Sequence, residues 1–129
     1  MRKYLWRSCL MGISIFFISF PLFGGSTVEE MEARHQKNVS TLQGKSFEKE
    51  AVYAFWGDYH FMRECAPPNT PVAEPLTIYF EILLDGTLGE IVITPDTPVA
   101  QCVKEKTANR IYSKPPEKFV AKVELKFAP

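Results

Sequence analysis

Apolar and polar positions alternate on both sides of an Asp-Gly pair in the second half of the chain. Ile78, Phe80, Ile82 and Leu84 fall on one side of the first run, and Thr77, Tyr79, Glu81 and Leu83 on the other. A period of two predicts a half-buried strand. Asp85-Gly86 follows, and glycine accepts the positive φ that tight hairpin turns demand. The returning strand is Leu88 to Ile93, where Gly89 predicts a weak point or a bulge. A last alternation runs from Val120 to Phe127. It places Val123, Leu125 and Phe127 inward and Lys122, Glu124 and Lys126 outward, where their charges would guard the strand against non-specific pairing.

Elsewhere the period lengthens. Phe47, Ala51, Phe55 and Tyr59 recur every four residues, with Met62 continuing the stripe, so Ser46 to Cys65 is predicted to be a helix. Ser46 can cap it, and Glu48 and Glu50 suit its positive end. Gly57 is a weak point in the middle, costing about 1 kcal/mol against alanine. Pro67 and Pro68 force an end by Ala66. Thr97-Pro98 predicts the start of another helix, because threonine caps and proline at the first helical position loses no needed hydrogen bond. That helix carries Val99, Cys102 and Val103 on one side, with Lys106 and Arg110 placed for its C-terminal end. Between helix and hairpin, Pro67 to Pro75 reads as an extended connector.

The order helix, strand, strand, helix, strand predicts an α+β fold. The expected arrangement is a three-stranded antiparallel sheet with two helices packed on one face, spanning residues 46–129. Thr27 to Lys45 is charge-rich, and its larger apolar residues are only Val28, Met31, Val39 and Leu42. It reads as a flexible or helical leader.

The N-terminus has the three parts of a secretory signal. Arg2, Lys3 and Arg7 precede a mainly apolar run from Leu10 to Phe23, and Gly24-Gly25-Ser26 supplies small residues for cleavage before Thr27. The run is shorter than the roughly 20 residues that span a bilayer as a helix. Residues 1–26 are therefore expected to be a signal peptide, the alternative being a retained inner-membrane anchor. Cleavage would place the protein in the periplasm or outside the cell, with no transmembrane segment left. It would also remove three of the fifteen basic residues and none of the fifteen acidic ones, for a net charge of −3. That balance excludes a nucleic-acid footprint, which requires a clustered basic surface.

Export changes the reading of the cysteines. Cys65 and Cys102 would meet an oxidising compartment, where a disulfide forms and persists. Both fall on predicted helices, so the bond would staple helix to helix. Redox activity is not expected, since the two lie far apart in sequence and Cys65 sits at a helix end, where the dipole disfavours a thiolate.

Other candidate chemistry is sparse. His60, with Met62 and Cys65 nearby, tempts a metal reading, but metal sites need three or four convergent ligands. His60 and His35, the only histidines, read as surface or helix-face residues. Gly44-Lys45-Ser46 imitates the end of a phosphate-binding loop, yet Val39 stands where its first glycine should be. Asn38-Val39-Ser40 has the form of a glycosylation sequon. Asp58 and Glu64 read as solvated charges. No nucleophile–base set or carboxylate dyad is spaced for catalysis. No enzyme activity and no cofactor are expected. The cluster Tyr53, Phe55, Trp56, Tyr59 and Phe61 is denser than one helix face needs. Tyr53 and Trp56, on the far side, could form a partner patch.

Phe80-x-Ile82 leading to Asp85-Gly86-Thr87-Leu88, then Ile91-x-Ile93, Cys102-Val103, Lys114-Pro115-Pro116 and Val123-x-Leu125-x-Phe127 form an ordered set. This half of the chain resembles the C-terminal domain of TonB-type energy transducers, closest to cysteine-bearing variants of the AgmX type. An upstream cysteine, here Cys65, fits the resemblance. A transducer also keeps a membrane span and a long proline-rich linker; here the N-terminus reads as a cleavable signal, and the short stretch from Thr27 to Lys45 contains no proline. The resemblance implies a small periplasmic interaction module. Its partner would be a cell-envelope protein or a second copy, bound through a sheet edge (Lys122, Glu124 and Lys126) or through Tyr53 and Trp56. The alternative is a small-molecule or lipid carrier with a pocket between sheet and aromatic helix.

Overall fold

The computed structural model describes residues 25–57, 60–66 and 75–126. The signal pattern up to Gly24, the connector as far as Glu74, and the expectations for Asp58, Tyr59 and Phe127 lie outside the described residues. Seven elements follow one another: α1 Val28–Asn38, α2 Leu42–Trp56, α3 His60–Cys65, β1 Leu76–Ile82, β2 Leu88–Thr94, α4 Pro98–Thr107 and β3 Phe119–Leu125. The strands form one antiparallel sheet in the order β2-β1-β3. The α+β class and the three-stranded antiparallel sheet are as the alternation predicts.

The hairpin and the α4 cap form for the expected reasons. Gly86 holds φ at 88° in the turn, a left-handed value that glycine accepts without strain. Register shifts between Phe80 and Ile82, so the strand bulges around Gly89. The Thr97 hydroxyl accepts from the Ala100 N–H, with Pro98 in the first turn.

Three details differ. The helix expected from Ser46 to Cys65 is two helices, parted around Gly57. The first begins at Leu42, and its cap is Thr41, whose hydroxyl accepts from the Gly44 N–H at 3.0 Å. Arg110 lies beyond the end of α4 and serves α2 instead. Its guanidinium donates to the Phe55 carbonyl at 2.7 Å and sits 4.8 Å from the Phe61 ring centroid.

The two faces of the sheet explain the packing. Ile78, Phe80 and Ile82 of β1, with Phe119, Ala121 and Val123 of β3, face α2, α3 and α4. Phe55 stacks on Phe80 at 5.9 Å, and Phe47 meets Phe119 edge-on at 4.8 Å. Such ring pairs add to the gain from burial alone. The opposite face, expected to be solvated, is covered by α1. Met31 is fully buried there against Tyr79 and Val120, with Val28 and Val92 beside it. So the helices are not confined to one face, and the packed unit extends N-terminal to Ser46. The polar character of 27–45 conceals this because the rim of the α1 interface is charged. Arg34 pairs with Glu81, and Glu32 pairs with Lys122 at 3.0 Å.

Glu32 also accepts from the Tyr79 hydroxyl at 2.6 Å. That bond, followed by those from Gln36 and Lys122, lowers its pKa from 4.5 to about 2. A carboxylate with a depressed folded-state pKa contributes stability above its ordinary value, and the contribution fades as pH falls toward the folded value. Thermal melting is therefore expected to drop between about pH 5 and pH 2. In Glu32→Gln that part of the drop should shrink, and an unchanged pH profile would refute the linkage.

Candidate functional site

A three-stranded open sheet has two edges, and each exposes backbone groups that can pair with another chain. Here the edges are β3 and β2, and they are treated differently.

The β3 edge is closed by side chains. Asn38, at the end of α1, is buried. Its Oδ1 accepts from the Val120 N–H at 2.9 Å, and its Nδ2 donates to Glu117 Oε1 at 3.0 Å and to the Lys118 carbonyl at 3.3 Å. Glu48 of α2 accepts from the Lys122 N–H at 3.3 Å and bonds the His35 ring at 2.9 Å. The corner that positions Asn38 is tight, since a Cβ at Gly44 would stand 1.7 Å from the Asn38 carbonyl oxygen. Position 44 therefore needs glycine.

Of the three outward residues expected on β3, Lys122 is not free. Its ammonium is bound to Glu32 and lies 5.6 Å from the Tyr79 ring centroid. The bond to Glu32 raises its pKa, and burial of the Tyr79 hydroxyl raises that group's. Glu124 and Lys126 are exposed. Lys122 is thus corrected from an edge guard to part of the α1 interface.

Among the described residues, no strand pairs with the outer edge of β2, and its second half is open. Val120 and Lys122 turn their N–H groups away from β1, so alternation along the ladders fixes the rest. Ile78 and Phe80 direct their backbone to β3, Thr77 and Tyr79 to β2, and Ile91 and Ile93 direct theirs outward. A groove of about 510 Å³ runs along this edge, with Ile91 and Ile93 on one wall and Ala100, Gln101 and Lys104 of α4 on the other. Ser26 closes one side, its N–H donating to Glu90 at 3.2 Å. Asp96 lies at the Thr94 end of the strand.

The remaining expected residues are placed as follows. Cys65 and Cys102 form a disulfide with an S–S distance of 2.08 Å, joining α3 to α4. Tyr53 and Trp56 lie on the outer side of α2, 82% and 39% exposed, well away from the β2 groove in the order of elements. The space between α2 and the sheet, where a carrier's pocket was the alternative, is filled by Phe47, Phe55, Phe80 and Phe119. Among the described residues no three His, Cys, Asp or Glu side chains gather to hold a metal. His35 is buried, not superficial, and Asn38 caps a strand edge. Sequence reasoning missed Asn38 and Glu48 because a side chain that satisfies a strand edge leaves no periodicity.

No family model, no curated protein and no solved structure matches the chain.

Proposed function

We propose that this protein is a non-enzymatic, exported interaction module of the cell envelope that binds an extended segment of another protein along β2. The observation that carries this reading is the inequality of the two edges. The β3 edge has its Val120 and Lys122 N–H groups taken by the Asn38 and Glu48 side chains of α1 and α2, while Ile91 and Ile93 present theirs to a groove walled by α4. Strand addition uses those features: backbone bonds supply affinity, and pockets for alternate side chains supply selectivity. Export is supported by the N-terminal basic–apolar–small pattern and by the Cys65–Cys102 bond, which oxidising compartments preserve. No described helix is long and apolar enough to cross a membrane. The resemblance to TonB-type C-terminal domains implies the same kind of role.

Site-specific photocross-linking in cells tests this. A photoreactive residue at Gln101, on the exposed lip of the groove, is expected to yield a discrete protein adduct. The same residue at Glu124, beside the closed edge, should yield none. An adduct of twice the chain's mass would identify a second copy as the partner. Adducts from Tyr53 alone would move the interface to α2, and none from either position would refute the reading.

A further inference from the structure

The corner where α1 meets α2 carries a second surface, at the opposite edge of the sheet from the β2 groove. Leu42 stands there 85% exposed, although it is the first residue of a helix whose next turns hold the core residue Phe47. It shares a concave surface of about 500 Å³ with Val39, Lys45 and Lys49, and His35 and Glu48 form the back. Lys37 and Lys118 flank the corner, and all four lysines are exposed. The first turn of α2 contains no acidic residue, so the positive end of its dipole is uncompensated. The neighbouring acids are engaged. Glu48 holds His35 and the Lys122 N–H, and Glu117 accepts from Asn38. A chain that is net acidic once the basic N-terminal residues are set aside thus has one basic corner with a leucine at its tip.

We infer that this corner docks on an anionic lipid surface. Leu42 enters the interface between headgroups and acyl chains, and Lys37, Lys45, Lys49 and Lys118 lie over the headgroup phosphates. An apolar side chain ringed by lysines is the composition that binds such an interface, combining burial with attraction to anionic lipid. A leucine adds nothing to the affinity for a soluble polyanion, which is why its exposure favours a membrane. Among the described residues, the buried Oε2 of Glu48 and Nδ1 of His35 have no hydrogen-bond partner at the back of the concavity. The Glu48 carboxylate keeps a phosphate out at the lysine rim. This docking does not rest on strand addition at β2, and both surfaces can be occupied together.

The test uses the full chain and two surface variants, Leu42→Ser and Lys45→Glu/Lys49→Glu, with phosphatidylcholine vesicles containing or lacking phosphatidylglycerol. Circular dichroism should show the fold unchanged in both variants. The parent chain is expected to bind the anionic vesicles more tightly, with an advantage that salt weakens. The double lysine variant should lose about tenfold or more of that affinity, and Leu42→Ser about fivefold. Variants that bind like the parent would overturn the inference. Loss in the lysine variant with none in Leu42→Ser, alongside parent binding to heparin, would make the corner a general polyanion surface and overturn the lipid assignment.

Discussion

Opening the Cys65–Cys102 bond is expected to cost about 4 kcal/mol of stability on the chain-entropy estimate for a loop of this length. The sequence separation is 37, so the bond removes a long loop's freedom from the unfolded chain. That is a large share of the roughly 5–15 kcal/mol that holds a typical domain. The loss should be uneven. α3 spans only His60–Cys65, and isolated helices that short do not persist. It is held by the disulfide, by the Phe61 ring 5.6 Å from Phe55 and under Arg110, and by the exposed Lys106–Glu64 pair at 2.5 Å. Exposed ion pairs contribute little, so the covalent tie and Phe61 carry most of the anchoring. Chemical denaturation of the Cys65→Ala/Cys102→Ala variant should show the lower midpoint. Hydrogen exchange should show the earliest loss of protection at 60–65, ahead of the strands. Equal midpoints for parent and variant would refute the staple, as would two free thiols in the protein purified after export.

Much of the fold on the α2–α4 side is legible in the sequence. The alternation around Asp85-Gly86 gave the hairpin because a period of two has no helical rendering, and Gly86 occupies the positive φ the turn requires. Thr97-Pro98 marked α4 through a hydrogen-bonding requirement that few other pairs meet. The cysteines were legible as a pair because the signal pattern implies an oxidising compartment and both fall on predicted helices. The α1 side was not legible. Thr77, Tyr79 and Glu81 look like a solvated strand face, and Glu32 and Arg34 look like a solvated helix. The two are partners, joined around a small apolar centre formed by Met31, Tyr79 and Val120. Hydropathy weighs each residue alone and cannot see that two polar surfaces satisfy each other.

The candidate site followed the same division. That an open three-stranded sheet must have edges was evident from strand count. Which edge stays open depends on Asn38 and Glu48 reaching backbone groups more than 70 positions away, as the 82-residue separation of Asn38 and Val120 illustrates. Nothing local in the sequence records such a contact. Lys122, Glu124 and Lys126 were expected to guard β3 by charge. Closure comes instead from hydrogen bonds, which also make α1 a determinant of which edge a partner can reach.

Removing α1 should therefore do more than trim an end. A chain beginning at Ser40 loses Met31, whose truncation to alanine alone costs about 2–5 kcal/mol at fully buried positions of this kind. It also bares Tyr79, Val120 and Val92, and strips the Val120 N–H of its acceptor. The truncated chain is expected to melt far below the parent or fail to fold. Where it does fold, it should self-associate through the newly opened β3 edge. Met31→Ala separates the two effects, because it weakens the α1 interface while leaving Asn38 in place. That variant should lose stability by the stated amount and remain as monomeric, or as dimeric, as the parent. Asn38→Ala does the reverse, with a smaller loss of stability but faster hydrogen exchange at the Val120 amide. If the chain beginning at Ser40 melted like the parent, α1 would be the dispensable leader that its composition suggests, and the asymmetry of the two edges would lose its cause.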